Sequence, residues 1–151
     1  MSLAYGTDGQ ALTITLASNA NTVIQASTVV DNSTNLFQNA LVEVSIKTNA
    51  AGTSATGAVN VYAYGSADGG TTYNGLPTGT NGTLANTANL KLVAVIGAIA
   101  NATTYNGIFS VASCFSGVMP KKWGIVVENL TGAALDSTAG NHFVKYQGIT
   151  Y

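Results

Sequence analysis

The side chains with reactive chemistry are few and far apart. His142 is the only imidazole among 151 residues, and Cys114 is the only thiol. The six carboxylates, Asp8, Asp31, Glu43, Asp68, Glu128 and Asp136, are scattered, no two of them within seven residues of each other. Enzymatic chemistry calls for a nucleophile beside a base, a pair of acids, or a set of metal ligands. A fold is free to bring two distant carboxylates together for glycosidase-type chemistry, but nothing in the spacing points to such a pair. Asp68-Gly69-Gly70 lacks the further oxygen ligands at fixed offsets that a calcium loop requires, and it reads as a turn. Zinc would need clustered Cys and His, and phosphate a Gly-rich loop with a lysine; the chain has neither. No catalytic residue, metal ligand or cofactor-binding residue is assigned. His142 is expected to be a hydrogen-bonded or exposed strand histidine, and Cys114 a buried structural thiol.

Tyr62 and Tyr64 are the candidate recognition residues. In Ala58–Tyr64, Val59, Val61 and Ala63 point one way while Asn60, Tyr62 and Tyr64 point the other. Two tyrosines on one sheet face can stack on a sugar, or can lie in a subunit interface, where Tyr is enriched. Trp123 shares a face with Ile125 and Val127 and is expected in the core.

Charge is the scarce commodity. Charged residues make up 7% of the chain, with no arginine and a formal net charge of −1, against about 25% in ordinary soluble domains. Gly, Ala, Thr, Asn and Ser fill 85 positions. A folded monomer of this mass exposes roughly 7,000 Å², whereas a standard interface takes about 800 Å² per partner. Almost any patch of that size would be nearly free of charge, and near-zero net charge favours association. Five scattered lysines, of which only Lys121 and Lys122 adjoin, make no basic stripe for nucleic acid. The apolar run Leu90–Ala100 is interrupted by Lys91 and is too short to span a bilayer, so no membrane partner is expected. The N-terminus lacks the charged and apolar regions of a secretory signal. The four N-x-S/T sequons, at Asn32, Asn81, Asn101 and Asn129, carry little weight in an Asn- and Thr-rich chain.

Period-two alternation recurs along the chain and helical periodicity does not. Val42, Val44 and Ile46 alternate with Glu43, Ser45 and Lys47, as a half-buried strand requires. About eight strands are predicted, near 12–16, 22–30, 36–47, 58–65, 90–98, 105–112, 122–130 and 142–150. Turn signals separate them at Ala51-Gly52, Asp68-Gly69-Gly70, Asn74-Gly75, Asn81-Gly82, Asn106-Gly107 and Thr131-Gly132. One short helical turn is predicted at Thr83–Asn89. This pattern gives an all-β chain: an antiparallel β-sandwich, jelly-roll-like, forming a single domain over residues 1–151. Residues 1–11 are set aside as an N-terminal arm. The long connection 66–89 is expected to fold back as a hairpin or to pack on a neighbouring subunit, since loops of that length are usually functional. The pentapeptide Thr-Thr-Tyr-Asn-Gly occurs at 71–75 and again at 103–107 with unrelated flanks, and reads as reused turn chemistry.

The stretch Val59-Asn60-Val61-Tyr62-Ala63-Tyr64-Gly65-Ser66-Ala67-Asp68-Gly69-Gly70 resembles small virion proteins of tailed bacteriophages. So do Trp123-Gly124-Ile125-Val126-Val127-Glu128-Asn129-Leu130 and the closing stretch Phe143–Tyr151. The resemblance implies a capsid decoration or cement protein: a sandwich that binds the major capsid protein on the outer surface of the head. It also implies a homotrimer at junctions between capsomers, made in the host cytoplasm, with no enzymatic activity and no cofactor. Two other readings stand beside it: a glycan-binding module of a tail fibre or adhesin, and a small hydrolase.

Overall fold

The computed structural model describes residues 2–151. Strand makes up 43% of it and helix 5%, so the chain is all-β. Among the described residues, eleven strands form two antiparallel sheets. In the first sheet, β1 (Ala4–Tyr5) and β2 (Gln10–Leu12) share one edge of β11 (Phe143–Thr150), followed by β5 (Asn39–Lys47) and β9 (Thr104–Ser110). The second runs β7 (Gly82–Leu84), β3 (Ile24–Ala26), β10 (Lys122–Leu130), β6 (Ala58–Ser66) and β8 (Lys91–Gly97), and β4 (Val30–Asp31) also pairs with β10.

The inward faces of the two sheets build one core. Val42, Val44 and Ile46 from β5 meet Val59, Val61 and Ala63 from β6 and Trp123, Ile125 and Val127 from β10. The alternation predicts this facing, and Val44, Ile46, Val61, Ile125 and Val127 are all fully buried. Trp123 packs edge-to-face on Tyr146, ring centroids 5.3 Å apart.

The differences from the predicted strands have local causes. The expected strand at 22–30 breaks at Ser27, because that residue lends its side chain to the ladder. Ser27 Oγ accepts the Ile125 N–H (3.0 Å), and the Ser27 carbonyl turns away to accept the Tyr64 hydroxyl (2.7 Å). Beyond it, the Thr28 N–H donates to Thr13 O and the Val29 N–H to Gly79 O. Residues 13–16 leave the ladder, so the strand predicted at 12–16 is β2, at 10–12. The N-terminal segment is not a detached arm: Ala4 and Tyr5 pair with Thr150 and Ile149, and Ala11 with Lys145. The predicted helical turn at 83–89 does not form. Its start belongs to β7, which pairs with β3, and Asn89 takes a left-handed φ of 64°. Short 3-10 turns occur instead at Ala112–Phe115 and Ala139–Asn141. Asn106-Gly107 is not a turn either. Both residues sit inside β9, opposite Ser45 and Val44, because the flanking Tyr105, Ile108 and Phe109 favour a strand more strongly than the dipeptide favours a turn.

Candidate functional site

The tyrosine face of β6 is built as the alternation requires, but it is not open. The connection from Ser66 to Leu90 folds back over it. Tyr73 and Leu90 from that connection, with Leu84 from β7, pack on Ile24, Ala26, Tyr64 and Val126 to make a second, smaller core on the outer side of the sheet. Tyr64 is fully buried there, donates its hydroxyl to Ser27 O, and meets Tyr73 edge-to-face with centroids 5.4 Å apart. Burial pushes its hydroxyl well above the ordinary tyrosine range. Its ring lies across the partner strand at Gly124, where a Cβ would stand 2.4 Å from ring carbons. Tyr64 is therefore not available as a stacking platform or a contact face.

Tyr62 is half-buried on the same face, but its hydroxyl is already engaged. It donates to Glu128 Oε2 at 2.8 Å, and Asn60 Nδ2 donates to the same oxygen at 3.0 Å. Burial first, and the Glu128 carboxylate second, raise the Tyr62 hydroxyl above its usual value. The loop above is pinned by asparagines. Asn74 Oδ1 accepts the Gly65 N–H (2.7 Å) while its amide donates to Asn89 O (2.8 Å). Asn81 accepts the Thr15 N–H and donates to Thr15 Oγ1.

The other polar candidates are held by their own surroundings. Asp68 accepts hydrogen bonds from the Ser66 and Thr72 hydroxyls and from the Thr71 and Thr72 amides. These donors, with Ser66 first, hold its carboxyl well below the usual range. Asp31 pairs with Lys122 Nζ, which holds its carboxyl down in the same way; Lys122 opens β10 half-buried rather than fully solvated. Asp136 accepts from the Thr138 N–H and the Asn141 amide, and is likewise lowered. His142 lies just before β11, with both ring nitrogens used. Nδ1 accepts the Lys47 N–H at 3.2 Å and Nε2 donates to Asp136 O at 2.9 Å, which is the neutral tautomer tying a loop to a strand. Cys114 is only half-buried, because the 3-10 turn that carries it sits on the rim of the core; its Sγ lies 3.7 Å from Leu92 O. Among the described residues no group of three His, Cys, Asp or Glu side chains converges as a metal site would.

Compared with known proteins, the chain matches no family model and no curated sequence significantly.

Among the described residues the outer face of the first sheet is covered only at one side, where Gln147 donates to Gly6 O and Asp8 in the loop between β1 and β2. Leu41 and Glu43 from β5, Ile108 from β9 and Lys145 and Gln147 from β11 line a shallow depression of about 180 Å³. Lys145 Nζ also sits 4.4 Å from the centroid of the Phe143 ring. Ile108 is 67% exposed. At one end of the molecule a second hollow of about 280 Å³ is lined by Leu36, Phe37, Val118 and Met119, with Leu36 and Val118 strongly exposed. Ile108 lies on the outward side of β9, between inward Gly107 and Phe109, a facing left unassigned from the sequence. Leu36 and Val118 lie in irregular segments, where alternation says nothing.

Proposed function

We propose that this chain is a structural virion protein of a tailed phage, an auxiliary decoration or cement protein that binds the major capsid protein on the outside of the head and stabilises the shell. The carrying observation is the surface. An accessible area of 7017 Å² divided among 11 charged residues leaves about 640 Å² for each, and Ile108, Leu36 and Val118 stand exposed on it. Such a surface loses little on being taken out of water against another protein, because there are few charges to desolvate. Many modest contacts per copy, repeated over a symmetric shell, then oppose expansion and rupture.

The strand order supports a jelly roll. Counting β1 with β2 and β3 with β4 as interrupted strands, and setting the three-residue β7 aside, leaves eight. Their order is 1-8-3-6 in one sheet and 2-7-4-5 in the other, the double Greek key arrangement common in capsid proteins and lectins. Self-association as a homotrimer belongs to the same reading. The glycan-binding alternative draws no support from the tyrosines, since Tyr64 is covered and the Tyr62 hydroxyl is engaged by Glu128.

Washing purified particles tests the proposal. Salt shortens the Debye length from about 10 Å at 0.1 M to about 3 Å at 1 M, which weakens charge pairs but not neutral contacts. The protein should stay on the heads at about 1 M salt, and a cryo-electron map should place it on the outer shell. Release by salt would show that its few charges dominate, and density on a tail fibre in place of the head would overturn the capsid role.

A further inference from the structure

The two sheets have four edges, and three carry a device that discourages pairing with another strand. The β1/β2 edge is split into pieces of two and three residues. The β7 edge is three residues long. The β8 edge has a register shift opposite Val61 and Tyr62, starts with Lys91, and has Cys114 Sγ beside its Leu92 carbonyl. Short strands, bulges, lysines and covering segments are the usual protections of a sheet edge.

The fourth edge, β9, is neither short nor bulged nor charged, although β8 of the second sheet runs beside it without pairing. Its seven residues, Thr-Tyr-Asn-Gly-Ile-Phe-Ser, contain no charge and no proline. They pair with β5 in unbroken register from Thr104 to Ser110, and no other strand pairs with β9 among the described residues. Only the last carbonyl, that of Ser110, is taken, by the Ser113 hydroxyl. The rest of the edge offers backbone donors and acceptors that only water or another strand can satisfy.

We propose that β9 is a pairing edge whose occupant is β9 of a second copy of this chain, joined antiparallel about a two-fold axis. An uncharged strand is its own complement under that symmetry, since the same donors and acceptors meet on both sides. A net charge of −1 per copy opposes the approach very little. The pairing would run the first sheets of two copies into one continuous sheet and bring the exposed Asn106 and Ile108 of each copy together. It does not depend on the virion role. Where the chain also forms trimers through other surfaces, this edge joins one trimer to the next.

The size of the contact sets its strength. Seven residues at about 3.4 Å each make a strip roughly 24 Å long, and with flanking side chains it covers well under the roughly 800 Å² per partner of a standard interface. Association is therefore weak in free solution and becomes effective when copies are held close together.

Sedimentation from about 10 µM to 1 mM, a range suited to a contact below standard size, should show a reversible, concentration-dependent dimer. Hydrogen exchange should show amides of β9 gaining protection as the dimer fills, with those of β7, at the opposite edge of the second sheet, unchanged. The double variant Asn106→Lys with Ile108→Lys adds two charges at exposed positions and sets like charges opposite each other in the pair. It should weaken association at least ten-fold, while the same two charges at exposed Ala85 and Ala88, as Ala85→Lys with Ala88→Lys, should leave it unchanged. A parent that stays monomeric to about 1 mM, a double variant that associates as the parent does, or protection gained outside β9 and not within it, would each overturn the proposal. Should the double variant fail to fold, the exchange pattern of the parent alone decides.

Discussion

Replacing Tyr64 by alanine should loosen the covering loop and destabilise the whole domain. The ring is fully buried between Ile24, Ala26 and Val126 on one side and Tyr73 on the other. Truncating a buried aromatic to alanine costs about 3–5 kcal/mol from lost transfer and the cavity left behind. Here the value should fall at the upper end, because the Ser27 carbonyl also loses its donor, and an unpaired buried acceptor costs about 1–3 kcal/mol. A chain of this length loses about 2–4 °C of melting temperature per kcal/mol, so a drop of roughly 10–20 °C is expected. Tyr64→Phe separates the two contributions: it keeps the ring and removes only the hydroxyl, and it should cost about 1–2 kcal/mol, or roughly 2–8 °C. Calorimetry measures both variants. Hydrogen exchange then reports whether the Asn74 and Val29 amides, which donate to Gly65 O and Gly79 O, lose protection. If Tyr64→Ala melts within about 2 °C of the parent and the loop amides keep their protection, the loop is not held by this side chain and the second core has no energetic standing.

Two further outcomes follow from the same geometry. Val44→Asp should leave the domain unfolded at room temperature, since a carboxylate would be buried without a partner at a fully enclosed position; a urea midpoint equal to that of the parent would contradict the core assignment. Acid should destabilise the fold through Asp31, Asp68 and Asp136, whose carboxyls are all held below the ordinary aspartate value. A lowered folded-state value means the unfolded chain takes up protons first, so this stability is complete above about pH 4 and is lost as pH falls through the folded values. Melting curves between about pH 2 and 6 should fall steeply below pH 4 in the parent and less so in Asp68→Asn, and identical slopes would show that its loop bonds contribute nothing.

The long strands were legible because each has one face in the main core. Val42, Val44 and Ile46 announce β5, and residues 122–130 are β10 to the residue. The same rule placed Tyr62 and Tyr64 on the side opposite Val59 and Val61, but alternation says only that a sheet has two faces. It cannot say that Tyr73 and Leu90, from a remote stretch without periodicity, will cover one of them. The break at Ser27 was equally hidden, because it depends on a hydroxyl replacing a carbonyl in the ladder and on a tyrosine 37 positions away. Strands as short as β1 and β7 carry no pattern at all: β1 forms along the longer β11, and β7 along the equally short β3, itself held by β10. Absent from the recognition reading, too, was β9. It was legible as a strand, but its openness depends on what the other three edges carry.

The order of strands along the chain differs sharply from their order in space. The interior of the first sheet pairs β5 with β11, so Val44 lies opposite Val144, a hundred positions later. During synthesis β5 leaves the ribosome long before its partner exists, with β9 the only long neighbour that can reach it first. A half-made chain thus carries an unpaired edge along β5, a hazard for long-range β pairing in general. Folding of the first sheet is held back until the last strand arrives. The abundance of Asn, Thr and Gly between strands then serves a second end: it keeps the waiting segments polar enough to stay in solution until β11 closes the gap.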